Sequence, residues 1–163
     1  MVRLRLALAA MCVVALASAC SPAGAPDATR APSPARSGSS VALDAAEAAL
    51  GPAGPTLGGQ RAGDVLAWLA STPAQPARGD AGIDAYLVHL DGQPIDDATV
   101  TFDTDMTNMS HGQYLVSASP AGNGHYSGQV HFLMSGPWRV ILVVRRPGQA
   151  ELRLRFEFTV TAQ

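Results

Sequence analysis

The sequence predicts an all-β fold: an immunoglobulin-like antiparallel β-sandwich of about seven strands, over residues 63–163. The clearest sign is the last segment, where apolar and polar side chains alternate. The apolar set is Leu152, Leu154, Phe156, Phe158 and Val160, and the polar set is Glu151, Arg153, Arg155, Glu157 and Thr159. Because side chains alternate between the two faces of a strand, one set should face a core and the other should face water. Short apolar segments separated by turn residues precede it, as in β-sandwiches.

The earlier strands are predicted from apolar segments and from the turn residues between them. In chain order they span residues 64–71, 83–90, 98–103, 113–118, 125–133 and 138–144. Two prolines and two glycines predict a loop at residues 72–82, and residues 91–94, 120–124 and 146–149 predict turns. In the strand at 98–103, we expect Ala98, Val100 and Phe102 to face the core.

Residues 1–19 predict an export signal. Arg3 and Arg5 form a short positive region, residues 6–16 are apolar, and small residues fill 17–19. The ending Ala17-Ser-Ala-Cys20 resembles the bacterial lipobox, although Leu16 lies one place further from the cysteine than is usual. This resemblance implies that Cys20 is lipidated and becomes the new N-terminus. The alternatives are a secretory signal cut near Ala19 and a membrane-spanning anchor, for which the apolar run is short.

Residues 20–62 are expected to be a tether between the lipidated cysteine and the domain. Residues 21–40 are rich in Pro, Ala, Ser and Gly and have no apolar period, a composition that cannot bury a core. Residues 41–50 could form a short helix, and residues 51–63 are a second Gly- and Pro-rich break. Such a tether lets an anchored domain stand away from the membrane.

Charge and cysteine content exclude several classes of function. The net charge is -2, every basic residue is an arginine, and no basic patch suggests nucleic acid. Cys12 is lost with the signal, so the mature chain has no disulfide. Neither a catalytic triad nor a phosphate-binding glycine motif is present, and we predict a monomeric protein that is not an enzyme.

Two of the three methionines of the mature chain fall in one short segment between predicted strands. Met106 and Met109 lie in residues 105–112 together with His111. In a loop, the spacing Met-x-x-Met-x-His would let two thioethers and an imidazole converge. Thioethers are soft, neutral ligands that select Cu(I), and imidazole suits copper as well. The other interpretation is that these methionines cap the open end of the sandwich, since methionine fills gaps readily.

The other possible ligands are more ambiguous. Met134 shares the parity of Tyr126, Val130 and Phe132, which favours packing, but it lies where that strand ends and could adjoin the methionine loop. His125 and His131 have the opposite parity and are expected at the surface, and His89 is expected to be structural. A calcium site is less favoured, because turns explain the acidic residues and no EF-hand spacing is present. Those residues are Asp91, Asp96, Asp97, Asp103 and Asp105.

The order of these features resembles the YtkA-like/FixH-like family of exported β-sandwich domains over roughly residues 64–162. The matching segments are 90–94, 98–100, the Met-x-x-Met-x-His segment, 124–126, Met134-Ser-Gly-Pro-Trp138 and the final strand. The resemblance implies an immunoglobulin-like fold and copper handling, with Met106, Met109, His111 and Met134 as ligands. The chain departs from the family in having Thr107-Asn108 where Pro-Gly is frequent, and in lacking the transmembrane helix of FixH.

Together these features predict a lipid-anchored extracytoplasmic protein that binds Cu(I) and exchanges it with an envelope protein. The alternative function is a metal-free immunoglobulin-like module that docks a membrane or envelope partner through an open face or a strand edge.

Overall fold

The computed structural model describes residues 40–109 and 112–162. The predicted signal peptide, Cys20, residues 21–39 of the predicted tether, and His111 lie outside the described residues. The described part contains one short helix and ten strands. In chain order they are β1 (Val41–Ala42), α1 (Ala45–Ala48), β2 (Gly58–Ala62), β3 (Val65–Thr72), β4 (Gly79–His89), β5 (Thr99–Met106), β6 (Tyr114–Ser117), β7 (Ser119–Gly122), β8 (His125–Phe132), β9 (Gly136–Arg145) and β10 (Leu152–Val160).

The strands form two antiparallel sheets, so the predicted β-sandwich is confirmed. One sheet has six strands in the order β1-β2-β3-β4-β8-β7, and the other has four in the order β10-β9-β5-β6. Side chains at alternate positions meet between the sheets because successive residues of a strand point to opposite faces. The largest fully buried side chains include Trp138, Tyr126, Phe102, Phe132 and Phe156.

The final strand follows the predicted alternation, although Leu152, Phe158 and Arg153 are only partly buried. Leu154, Phe156 and Val160 are buried, and Arg155 and Glu157 are exposed. Phe158 is only partly buried, although it packs against the core edge-to-face with Phe132. Arg153 is partly covered because it donates a hydrogen bond of 3.1 Å to Asp103 on the outer face of the sheet.

The segment assigned to the tether contains structure from Val41 onward. β2 pairs with β3, β1 pairs with β2, and Asp44 caps α1 by accepting a hydrogen bond from the Glu47 N–H. This segment packs on the outward-facing Trp68, which is buried. Gly51 and Trp68 pack so closely that a Cβ at Gly51 would lie 2.7 Å from the indole ring. The sheet therefore begins before the predicted domain boundary at residue 63, and the predicted helix over residues 41–50 is only α1.

Two predicted loops contain strand residues. Gly79–Gly82 belong to β4, where Gly79 is opposite Phe132 and Gly82 is opposite Thr72. Residues 119–122 form β7, which pairs with the start of β8. Glycine and proline weaken the strand pattern in both segments, but backbone pairing with a neighbouring strand does not depend on that pattern.

Candidate metal site at the methionine end

The segments that carry the predicted ligands meet at one end of the sandwich. β5 and β8 both finish at this end, while β6 and β9 both begin there, as the pairing of Met106 with Trp138 and of Thr104 with Tyr114 requires. We call it the methionine end and define it by the connections at residues 107–113 and 133–135. The structure therefore brings Met106 and Met134 to the same end, although β5 and β8 belong to different sheets.

Met106 lies inside the fold. It is the last residue of β5 and only 4% exposed, in the core cluster between the sheets. A Cβ at Gly136 would lie 3.1 Å from its Cε, so the absence of a side chain there leaves room for the thioether. The prediction that Asp105 and Met106 lie between strands, with no core to fill, is therefore wrong. The strand continues to Met106 because β9 pairs with it that far.

Met109 lies beyond the strand in an exposed bend. Its side chain is 42% exposed, two residues after Thr107, whose N–H donates to the Pro137 carbonyl at 3.1 Å. This hydrogen bond fixes the start of the connection against the segment that leads into β9. His111 falls outside the described residues, so its position relative to Met109 stays a prediction.

Met134 lies in the connection between β8 and β9 and is 40% exposed. Its parity with Val130 and Phe132 favoured a core position, but β8 ends at Phe132 and the alternation ends with it. The Met134 carbonyl accepts a 2.9 Å hydrogen bond from the Trp138 Nε1–H. Trp138 is buried and is also the strand partner of Met106, so one residue links both methionine-bearing segments, by its backbone to Met106 and by its indole to Met134.

The methionine end and the adjacent β6 also expose an unusual share of apolar surface. Among the described residues, the exposed large apolar side chains here are Met109, Tyr114, Leu115, Leu133 and Met134, and elsewhere only Val41, Leu50 and Leu90. Single exposed apolar residues need no explanation, whereas a group of them marks a binding surface.

The described histidines are each paired with an aspartate. His89 Nδ1 lies 3.2 Å from Asp64, His125 Nε2 lies 2.8 Å from Asp84, and His131 Nδ1 lies 2.6 Å from Asp80. His125 is half-buried rather than simply on the surface, and its ring stacks on Tyr86 with centroids 4.6 Å apart. Sequence reasoning missed these pairs because they depend on the register of β4 with its neighbours β3 and β8.

Four of the five acidic residues considered as calcium ligands have other partners. Asp103 and Asp105 are buried on the outer face of the four-stranded sheet, where Arg153 and Arg139 donate to them at 3.1 and 2.9 Å. Asp96 accepts the Gly124 N–H at 2.6 Å, and Asp91 accepts the Gln93 N–H at 3.1 Å. Within residues 40–109 and 112–162, no three His, Cys, Asp or Glu side chains are grouped so that they could hold one metal ion.

Comparison with known proteins supports the resemblance drawn from these segments. The YtkA-like family matches residues 61–143, just over half of the chain. The chain belongs to the YtkA-like family. The matched region runs from β2 into β9 and therefore includes Met106, Met109 and Met134 of this YtkA-like protein.

The other comparisons give only a distant structural similarity. A DUF4426 family protein from Pseudomonas aeruginosa, known from its crystal structure, aligns with 63% of this YtkA-like chain and 96% of its own, at 14% identity and a TM-score of 0.47. No curated protein matches the sequence significantly. The described part of the YtkA-like chain contains no helix long and apolar enough to cross a membrane.

Proposed function

We propose that this protein is a membrane-anchored, extracytoplasmic copper-binding protein that holds Cu(I) at the methionine end and passes it to another envelope protein. The observation that supports this most is the double role of Trp138. It pairs with Met106 in the sheet and donates a hydrogen bond to Met134, so both thioether-bearing segments are held at one place. Weak ligands need such convergence because no single thioether binds an ion tightly.

The donor set fits a soft cation carried as cargo. Met109 and Met134 expose their side chains, whereas Met106 is buried in the core, so we expect Met109 and Met134 to be the principal sulfur donors. His111 and Met106 would complete the set. Thioethers carry no charge and prefer Cu(I) to hard divalent ions, which favour carboxylate and carbonyl oxygens. Nearby Asp105 is engaged by Arg139 at 2.9 Å, which makes it a poor competitor for the ion.

Exchange of the ion with a partner is consistent with the exposure of these residues. Side chains that are about 40% exposed can be reached by ligands of a second protein, which a closed site would prevent. The anchor predicted at Cys20 and the flexible part of the predicted tether, residues 21–40, would keep the domain near a membrane while it reaches its partner.

A Cu(I) competition titration against a chromophoric chelator, under anaerobic conditions, tests the metal site. The variant Met109→Leu/Met134→Leu keeps the apolar volume and deletes two sulfur atoms, and Met106→Leu is the matched variant inside the core. We expect the double variant to lose at least about tenfold in Cu(I) affinity, equivalent to about 1.4 kcal/mol, and Met106→Leu to lose less. His111→Gln measures the contribution of the imidazole.

The same proteins give a second readout in thermal unfolding. A ligand that binds only the folded state stabilises it, so Cu(I) should raise the melting temperature of the wild type, and Zn(II) should do much less. Equal Cu(I) affinity of wild type and double variant would reject the methionine end as a copper site. The metal-free interaction module would then be the better interpretation.

Anchoring is tested separately with Cys20→Ser. Without the thiol that receives the lipid, the protein should appear in the soluble fraction or stay as an uncleaved precursor of larger size. A variant that remains in the membrane fraction with the mobility of the wild type would contradict the lipoprotein assignment while leaving the copper site open.

A further inference from the structure

The sheets have four outer edges in the described residues, and three of them are protected against pairing. β1 is only two residues long. β7 contains Pro120 and a register shift between Pro120 and Gly122. β10 carries Arg and Glu on its outer face, and its Arg155 carbonyl accepts a hydrogen bond from the Gln60 side chain. Short length, proline, bulges, charge and covering groups are the usual devices that prevent an edge from pairing.

The fourth edge, β6, is four residues long but has none of the other devices. Its sequence Tyr-Leu-Val-Ser contains no proline and no charged residue. Leu115 is 67% exposed, the highest value among the exposed large apolar side chains of the described residues, and Tyr114 is also exposed. An apolar, uncharged edge of this kind is a template for an added strand.

The backbone of β6 has hydrogen-bonding groups available for such a strand. The Ala118 N–H donates to the Val100 carbonyl at 3.0 Å, on the β5 side. Backbone groups in an antiparallel pair alternate in direction along the strand, so Val116 and Tyr114 also face β5. The N–H and C=O groups of Leu115 and Ser117 therefore point away from β5, to the open side.

The neighbouring strand of the other sheet is also incomplete on this side. β4 pairs with β8 as far as Phe132, whereas β7 covers only His125–Ser127. Within the described residues, β8 thus lacks a ladder partner on the β7 side from Gly128 to Phe132. A groove of about 350 Å³ lies between β6 and this part of β8, with Leu115 and Val116 on one side and Val130 and Leu133 on the other.

The charge of the groove restricts what can occupy it. Gln113 and Gln129 are its neutral polar residues, and its ionisable side chains are Tyr114 and His131. His131 is already paired with Asp80 at 2.6 Å. The groove therefore offers no unpaired charge to an occupant, and a charged segment would lose hydration there without gaining an ion pair.

We propose that β6 accepts an extended, uncharged segment of a partner protein, which becomes a fifth strand of the four-stranded sheet. Its main chain pairs with Leu115 and Ser117, and its apolar side chains pack on Val130 and Leu133 across the groove. Backbone pairing supplies affinity and the groove selects the side chains. This docking edge goes beyond the copper proposal and does not depend on it, because none of these residues is a proposed metal ligand.

Ser117→Pro tests the edge directly, with Ser117→Ala as its matched control. Proline deletes the outward N–H while the bonds of β6 to β5 remain, and alanine deletes only the hydroxyl group. The probe is a phage-displayed library of random peptides, selected on the full chain in the presence of a Cu(I) chelator. We expect enriched peptides to be uncharged with alternating apolar residues, and to bind Ser117→Pro about tenfold more weakly than Ser117→Ala.

The possible results separate the alternatives. Failure to enrich such peptides, or equal binding to the proline and alanine variants, would overturn the docking edge. A concentration-dependent dimer of the wild type that Ser117→Pro dissolves, seen by sedimentation, would show that a second copy occupies β6 and would also overturn the partner-protein assignment. The comparison is valid only if the proline and alanine variants have equal melting temperatures, because a proline that unfolds β6 would weaken peptide binding for another reason. If the proline variant melts lower, Leu115→Lys replaces it, since a charge on the edge also blocks strand addition.

Discussion

The two ends of the sandwich are held in different ways. At the end opposite the methionines, formed by the connections at residues 90–98, 123–124 and 146–151, polar side chains fix the loops. Tyr126 donates to the Ile95 carbonyl at 2.9 Å and accepts the Ala98 N–H at 3.2 Å. Asp96 accepts the Gly124 N–H. The methionine connections at residues 107–113 and 133–135 have the backbone link from Thr107 to Pro137 and the Trp138–Met134 bond, and they expose thioethers and leucine. The β3–β4 connection at this same end is fixed by the Ser71 hydroxyl, which donates to the Pro73 and Ala74 carbonyls.

This difference suggests that one end contributes to stability and the other is available for binding. Buried side-chain hydrogen bonds to loop backbone make one end costly to alter, because each lost partner leaves a buried polar group unsatisfied. Exposed apolar and soft side chains contribute little to folding, which leaves the other end available for ligands. Substitutions at matched positions can measure how much each end contributes to the free energy of unfolding.

Truncation of a core residue between the two ends gives the largest loss of stability against which the other variants are compared. Phe156 is 2% exposed in the middle of β10, so Phe156→Ala should lower the free energy of unfolding by about 3–5 kcal/mol. Phe158, nearer the methionine end and only partly buried, should cost less when truncated in the same way. Urea titration gives both values. A larger loss at Phe158 would mean that the methionine end carries more of the core than its exposure suggests.

Two glycines compare the ends with the same substitution. Gly124 has φ +71, and a Cβ would lie 2.2 Å from the Leu87 carbonyl oxygen, so Gly124→Ala should cost about 3 kcal/mol from strain and backbone displacement. Gly112 has φ +96 with no atom within 4 Å of the added Cβ, and Gly112→Ala should cost about 1 kcal/mol, from backbone strain alone. Thermal unfolding of both variants measures the difference, and similar losses would contradict the proposed asymmetry.

The methionine end itself contains one structural and one exposed methionine. Met106→Ala should cost about 2–3 kcal/mol because it empties a buried site, whereas Met109→Ala should change stability by less than about 0.5 kcal/mol. Chemical denaturation without metal is the appropriate measurement. Equal effects would show that Met109 packs as part of the fold, which would weaken its assignment as a ligand.

Tyr126→Phe is expected to have a small effect on the free energy of unfolding, about 1 kcal/mol, and a distinct pH dependence. Burial raises the pKa of the Tyr126 hydroxyl, and Asp96 and Asp97 raise it further, against the opposing hydrogen bond from Ala98. The neutral hydroxyl is favoured in the fold, so its contribution is complete below the ordinary pKa near 10 and is lost as pH rises through the higher folded value. Stability of the wild type should therefore fall more steeply above pH about 10 than that of the phenylalanine variant.

Prediction from sequence succeeded where local pattern and tertiary environment agree. In β10, Leu, Phe and Val alternate with Arg and Glu because one face of the strand is buried and the other is exposed to solvent. This pattern can be found without a structure. The Asp91–Pro94 turn has its own chemistry, since Asp91 binds the backbone two residues on. β2 and β7 were missed because their glycines, prolines and small residues lack that pattern, and they are strands only because β3 and β8 offer them a ladder.

The amino-acid sequence by itself determined the β-sandwich class, the family, and which side chains could serve as soft ligands, because these depend on periodicity and on residue chemistry. The tertiary structure alone decided that β5 runs on to bury Met106, that β8 stops before Met134, and that Trp138 links the two. It also decided which strand edge is open. Each of these outcomes depends on where a neighbouring strand begins or ends. The neighbour is distant along the chain, so its extent produces no pattern in the local sequence of the strand with which it pairs.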